Sequence, residues 1–309
     1  MPVVTVSGRY PAGVPDKPAA EIDVDEDLVR TLLRAQAPGL ARLDLRPVAS
    51  GWDNTVWRLG PDLAVRLPRR AVAAPLVENE QQVLPTIAHR LEGVDVAVPA
   101  PIVTGRPGVG FPWAWSVVPW IDGDAGLHVP RVQRAGWAST LAQAVMAIHE
   151  PAAPGFPVNP YRGVPLHARA NAVAGRLDAL RDEHEGIDAL ARIWQSALDA
   201  PSWEAAPLWI HGDLHPGNLV ARGGVLMGII DFGDVTAGDP AYDLAVAWLA
   251  FDAHGRDAFI GAMQDRYDAA TWRRAHGWAV AVTLILLGSS DDNPDYLGLG
   301  RECLAELRD

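Results

Sequence analysis

The sequence is poor in thiols, in positive charge and in long apolar runs, and each shortage narrows what the chain can be. Among its 309 residues only Cys303 is a cysteine. No intrachain disulfide can form, so nothing in the covalent chemistry asks for an oxidising compartment. Placed near the C-terminus, Cys303 reads as a small helical hydrophobe. Lys and Arg number 26 against 38 Asp and Glu, a formal net charge of −12. Nucleic-acid phosphates demand a basic surface, so that partner is not expected. The balance suits a cationic small molecule, or serves solubility alone. The most apolar run, Trp278 to Gly288, is too short to span a bilayer and fits a buried helix. The first residues, MPVVTVSGRYPAGVPDKPAA, hold no basic leader followed by an apolar core. The expectation is a cytoplasmic protein with no membrane partner, a monomer or a homodimer.

Internal repeats are also missing. Low complexity is confined to Pro/Gly-rich stretches at the N-terminus and around Pro151 to Pro165, which read as a linker and a surface loop. What is present is a hydrophobic fraction of 49% with 21% charged residues, the composition of a folded globular chain long enough for two lobes.

Residues Asp25 to Ala37 place Leu28, Leu32 and Leu33 on one helical face, with acids in the first turn and Pro38-Gly39 as the stop. From Leu45 the pattern changes to short β-like runs, TVWRLG and DLAVRLP among them, broken by Gly, Asn and Gly60-Pro61-Asp62. This is the pattern of a small antiparallel sheet. Val77 to Leu91 is helical in pattern, with Pro85 expected to kink or divide it. Trp113 to Ile121 is β-prone and closes on Asp122-Gly123-Asp124; the lobe boundary is expected there. Val132 to His149 and Ala168 to Ala200 then read as helices. The expected architecture is α+β: an N-terminal extension over 1–22, a sheet-based N-lobe over 23–120 and a larger, mainly helical C-lobe over 121–309.

The most telling segment is HGDLHPGNLVARGGVLMGIIDFGDVTAGDPAYD, His211 to Asp243. Asp213 is followed by four residues and Asn218, then by an apolar strand, Gly223-Gly224, a second apolar run and Asp231-Phe232-Gly233. This order is that of a phosphoryl-transfer catalytic loop followed by a metal-binding loop. Such chemistry depends on positioning and charge neutralisation. Asn218 and Asp231 supply hard oxygens suited to Mg²⁺, and Asp213 would accept or orient the acceptor proton. His211 and His215 read as loop-holding hydrogen-bond partners, with His215 also a candidate contact to nucleotide or acceptor.

With SGWDNTVWRLG, AVRLPRR and its following ENE, WSVVPWIDG and AVMAIHE, the chain resembles, over nearly its whole length, the aminoglycoside phosphotransferase family, antibiotic kinases with a protein-kinase-like fold. The resemblance implies a small-molecule kinase that moves the γ-phosphate of ATP or GTP to a hydroxyl, with Asp213 catalytic and Asn218 and Asp231 on Mg²⁺. It implies nucleotide contacts at Arg66, which replaces the protein-kinase Lys, and at its ion-pair partner Glu80, with Glu78 as the alternative. It places Ser50 and Asn54 over the phosphates, and Val118 or Trp120 as backbone donor to the base, since Pro119 has no N–H. Asp239 and Asp243, in GDPAYD, would stabilise the loop.

For the acceptor, Asp234 and the cluster Asp291, Asp292 and Asp295 are candidates to receive ammonium groups of an aminoglycoside. Similar macrolide kinases would need an apolar wall instead, and the helix from Trp272 to Leu287 could provide one. A metabolic small-molecule kinase and a non-catalytic nucleotide-binding module are the remaining readings. The fold alone would not separate them.

Overall fold

The computed structural model describes residues 19–290 and 293–308. Helix α1 (Glu26–Gln36) begins where the Asp25 carboxylate accepts from the Leu28 N–H at 2.8 Å, an N-cap reinforced by Glu26 and Asp27 in the first turn. Its buried face, Val29, Leu32 and Leu33, lies against a five-stranded sheet. Strands β1 (Leu45–Ser50), β2 (Asn54–Leu59) and β3 (Leu63–Pro68) form a meander. Helix α2 (Ala74–Arg90) follows, then β4 (Val103–Gly105) and β5 (Trp115–Pro119), giving the antiparallel order β1-β2-β3-β5-β4.

Helix α2 differs from its sequence reading. It starts at Ala74, three residues earlier than the pattern indicates, and runs undivided through Pro85. Packing overrides the local penalty of proline here: Val83, Leu84 and Ile87, on both sides of Pro85, are buried in the core of the large lobe.

The extension reading covers residues 1–22, of which 1–18 lie outside the described residues. Glu21 and Ile22 belong with the sheet. Glu21 donates its N–H to the Arg69 carbonyl at 2.9 Å and accepts from Ala71 N–H at 3.1 Å, and Ile22 packs on the sheet core.

Past Pro119 the chain enters the helical lobe. Strand β6 (Asp124–Ala125) will pair with a later strand, and α3 (Arg131–Arg134) passes through a 3₁₀ turn into α4 (Ala138–Ile148). The single helix read over 132–149 is therefore jointed. Helices α5 (Ala170–Leu180) and α6 (Ile187–Leu198) precede β7 (Leu208–Ile210). The hairpin β8 (Leu219–Arg222) and β9 (Val225–Ile229) turns on Gly223 and Gly224, at φ +59° and +81°, the left-handed pair that suits the twist of a two-residue loop. β8 also pairs with β6, and β10 (Thr236–Gly238) pairs with β7. Helices α7 (Ala241–Leu244), α8 (Val246–Ala250), α9 (Ala253–Ala262), α10 (Ala269–Gly288) and α11 (Pro294–Arg308) complete the lobe. α10 is buried along most of its length and packs on α5, α6, α7 and α11. Among the described residues no helix is long and apolar enough to cross a membrane.

Candidate active site

Both functional loops hang from short strands of the large lobe. β7 ends at Ile210, and the chain turns through His211, Gly212 and Asp213 before a 3₁₀ turn, Pro216–Asn218, leads into β8. Gly212 sits at φ +82°, and a Cβ there would lie 2.4 Å from the Asp234 carbonyl; only glycine fits without strain. The fully buried Asp243 clamps the turn, accepting the His211 and Gly212 N–H groups at 2.6 and 3.0 Å. His149 braces Asp243 from behind through Nε2 at 3.2 Å. Asp239 takes a different partner, Arg274, at 2.7 Å.

His211 has an internal assignment. Its Nε2 faces the Ile230 carbonyl at 2.9 Å, and its Nδ1 accepts the Asp213 N–H at 3.1 Å, so Nε2 carries the proton. The imidazole thus ties the catalytic loop to the end of β9 and lies 4.4 Å from the Phe232 ring. His215 likewise accepts the Gly217 N–H at 3.0 Å, while its Nε2 stands 3.5 Å from Asp213 Oδ2.

Asn218 is buried. Its amide donates to the Asp213 carbonyl at 2.8 Å and to Asp213 Oδ2 at 3.3 Å, while its Oδ1 has no partner. A buried carbonyl oxygen without a donor is costly. Opposite, Asp231 holds φ +64°, a left-handed conformation that costs a non-glycine residue about 1–2 kcal/mol. The Ile230 N–H donates to the Asn218 backbone carbonyl at 2.9 Å, so the orphaned amide oxygen and the strained carboxylate sit on neighbouring stretches of backbone, and both are hard oxygens of the kind Mg²⁺ takes.

Across the cleft, Arg66 on β3 donates to Glu80 on α2 at 2.8 Å, and its Nη2 lies 3.6 Å from Asp231 Oδ1. Glu80, rather than Glu78, is the partner. Burial pulls the Arg66 guanidinium down, but Glu80 and Asp231 outweigh it and leave it raised. Burial pushes the Glu80 carboxyl up against the opposing pull of Arg66 and of a Phe232 N–H hydrogen bond. Arg66, Glu80 and the Asp231-Phe232-Gly233 loop are therefore one connected unit. The chain's only lysine is Lys17, so Arg66 is the cation that strand β3 offers.

The turn between β1 and β2 is pinned by the pair that ends PRR. Arg69 donates to the Gly51 carbonyl at 2.9 Å, and Arg70 pairs with Asp53 at 2.8 Å. Burial, then the charge of Asp231, raises the Asp53 carboxyl. Ser50 closes β1 opposite Thr55, and Asn54 opens β2, buried, with Oδ1 unpartnered. Below the turn lies an apolar slot between Val56, Ala64, Val118, Trp120, Val220 and Ile230.

The base-donor reading of Val118 and Trp120 needs correction. The Trp120 N–H donates to the Asp62 carbonyl at 2.8 Å, and Val118 stands opposite Ala64 on the same side of the ladder. Alternation along an antiparallel pair directs both toward β3 and turns the Pro119 carbonyl and Ile121 N–H the other way. Both residues still line the slot, with Arg58 4.0 Å over the Trp120 ring.

The acceptor side holds the residue that the sequence did not reveal. Arg162, from the stretch read as a surface loop, reaches the catalytic loop. Its Nη2 lies 3.2 Å from Asp213 Oδ1 and 3.1 Å from Asp234 Oδ2, and Nη1 donates to the Tyr242 hydroxyl. Asn159 adds a 2.7 Å bond to Asp234. Although burial opposes it, Arg162, followed by His215, holds the Asp213 carboxyl well below the usual carboxylate range. Asp234 is consequently not a free acceptor of ammonium groups. Asp295 is exposed on α11, 3.3 Å from His128. Asp291 and Asp292 lie outside the described residues.

The site joins the Arg162-bound carboxylate of Asp213, the hard oxygens of Asn218 and Asp231 and the ion-paired Arg66 across a two-lobed cleft, the layout of a kinase-like fold. Residues 44–278 match the model of the phosphotransferase enzyme family. The chain belongs to that family of phosphotransferases. No curated protein sequence matches it. Among solved structures it is similar to the GDP complex of wild-type aminoglycoside 2'-phosphotransferase-IIIa, at 22% identity and TM-score 0.63 over 92% of this chain and 99% of that one. It is also similar to a macrolide 2'-phosphotransferase from Brachybacterium faecium, at 20% identity and TM-score 0.60 over 90% and 97%.

Proposed function

We propose that this protein transfers the γ-phosphoryl group of a nucleoside triphosphate to a hydroxyl of a small molecule, with Mg²⁺ held by Asn218 and Asp231. The carrying observation is the unpartnered Oδ1 of buried Asn218, whose amide bonds to Asp213 and whose backbone carbonyl accepts the N–H of Ile230, the residue before the strained Asp231. When bound by Asn218 and Asp231, the ion would supply positive charge against the phosphates. Arg66, fixed by Glu80, presents the rest of its guanidinium to the phosphates. The turn from Ser50 to Asn54 covers them with backbone N–H groups. The slot between the lobes takes the base, and the Pro119 carbonyl and Ile121 N–H form its polar edge. Asp213 orients the acceptor hydroxyl and takes up its proton as the new ester forms.

The similar structures are named for aminoglycosides and macrolides, and either class is a candidate acceptor here. The contact of Arg162 with Asp234 removes one of the carboxylates that a polyamine would use. The test is a purified-protein screen of aminoglycosides, macrolides, amino sugars and hydroxy acids, read as Mg²⁺-dependent, acceptor-stimulated nucleotide consumption. Absence of both stimulated and slow unstimulated hydrolysis would favour a protein that only binds nucleotide.

A further inference from the structure

Beside Asp213 a groove opens between α5 and α10, lined by three arginines, Arg162, Arg169 and Arg176, together with Tyr161, Tyr242 and Trp278. No carboxylate lines it. The three arginines are not equivalent. Arg162 is spent on Asp213, Asp234 and Tyr242. Arg169 faces only the ring of Tyr161, with its guanidinium 5.4 Å from the centroid, and Arg176 makes a single 3.4 Å hydrogen bond to the Ala172 carbonyl of its own helix.

Arginines with and without a carboxylate partner both occur in this chain of net charge −12; what distinguishes Arg169 and Arg176 is that they line one pocket together. Arg66, Arg131, Arg134, Arg256 and Arg274 each face a carboxylate. Among the described residues neither Arg169 nor Arg176 does. Arg169 ends the 3₁₀ turn that leads into α5, Arg176 lies within α5, and both line the same pocket. Buried Val173 lies between them, on the side that meets Ala281, Val282 and Ile285 of α10. Half-buried guanidinium groups over an apolar floor keep an unneutralised field, and their planar donor forks match carboxylate and phosphate.

We propose that Arg169 and Arg176 form an anion subsite beside Asp213, so that the acceptor carries a carboxylate or phosphate group as well as the hydroxyl. Tyr161, exposed at the groove mouth, supplies a face for the acceptor's apolar body. The inference rests on the phosphotransferase reading, since it is the anionic group of the acceptor that would meet these arginines.

The test uses four matched probes, glucose, glucosamine, glucuronate and glucose 6-phosphate, titrated calorimetrically into the protein saturated with Mg²⁺ and a non-hydrolysable nucleotide. Glucuronate, glucose 6-phosphate or both are expected to bind at least about tenfold more tightly than glucose and glucosamine, the loss typical of removing a charge-assisted hydrogen bond. Which of the two binds better separates carboxylate from phosphate. The advantage should vanish in Arg169→Gln/Arg176→Gln and persist in Arg169→Lys/Arg176→Lys. Equal or undetectable binding of the four probes, a preference for glucosamine, or an advantage that survives in the Gln variant overturns the subsite. Binding of Mg²⁺-ADP and slow acceptor-free hydrolysis by the unmodified protein are measured separately. Their failure, with anion binding intact, would strike the phosphotransferase reading and leave the anion site standing.

Discussion

Arg162 Nη2 lies 3.2 Å from Asp213 Oδ1 and 3.1 Å from Asp234 Oδ2, so one guanidinium holds two carboxylates that would otherwise repel across the catalytic loop. Replacing Arg162 with Ala leaves those charges facing each other. Turnover should fall about tenfold as Asp213 loses its fixed orientation, while affinity for a polycationic amino sugar rises because Asp234 is freed. Steady-state kinetics and calorimetry on Arg162→Ala and Arg162→Lys measure both effects. Unchanged turnover in the Ala variant would show that Arg162 does not position Asp213.

Asp213 itself is expected to be indispensable. Asp213→Asn keeps size and much of the hydrogen bonding but cannot take a proton, so turnover should drop by roughly 10²–10⁴ with nucleotide affinity nearly preserved. Comparing acceptor-stimulated rates with nucleotide binding decides this, and wild-type rates in the variant would remove Asp213 from the chemistry.

The buried pair of Arg66 and Glu80 predicts a stability effect. Glu80→Ala leaves a guanidinium whose side chain is 7% exposed with only its longer 3.6 Å contact to Asp231, and breaking a buried pair on one side costs up to about 3–5 kcal/mol. Denaturant unfolding should show that loss. A loss below about 1 kcal/mol would mean that water reaches Arg66 and that the pair contributes little.

Asn218→Ala tests the metal assignment. It removes the orphaned Oδ1, and the Mg²⁺ concentration for half-maximal activity should rise by about tenfold or more. An unshifted Mg²⁺ titration would place the ion on other ligands.

His276 sets an acid limit on the fold. Burial, then the charge of Arg256, pushes its imidazole from 6.5 down to about 4, where it stacks on Trp248 at 4.5 Å. Because the folded value is the lower one, the unfolded chain takes up the proton first. Stability should therefore fall as pH drops from about 6.5 to about 4. The difference of 2.5 units corresponds to about 3 kcal/mol at most. His276→Gln should flatten that part of the stability curve, and a curve unchanged by the substitution would exclude His276 as its source.

The reaction could be read in the sequence because its parts are local. Asp213, Asn218 and Asp231 fall within one strand-loop-strand stretch, and turn glycines and strand patterning place them without tertiary knowledge. The capped α1 and the Gly223-Gly224 hairpin were legible for the same reason. Arg162 was hidden because its partners Asp213 and Asp234 lie 51 and 72 residues away, and a Pro/Gly-rich stretch gives no period that would reveal its path. The backbone direction at Val118 and Trp120 was misread for a subtler reason. A one-residue parity in the ladder decides which N–H faces the cleft, and that parity comes from the pairing of β5 with β3. Pro85 does not divide α2, because the local breaking rule yields to a helix whose residues on both sides of it are buried in the core of the large lobe.

That burial has a mechanical consequence. The inner face of α2 belongs to the core of the large lobe, through Val83, Leu84 and Ile87, while β3 belongs to the core of the sheet. Gln81 of the same helix donates to the Trp115 carbonyl of β5 at 2.8 Å, and Glu80 holds Arg66 of β3 at 2.8 Å, so α2 joins the two cores. A shift of one lobe against the other would load these contacts together, and the carboxylate that fixes Arg66 sits on the element that carries the strain.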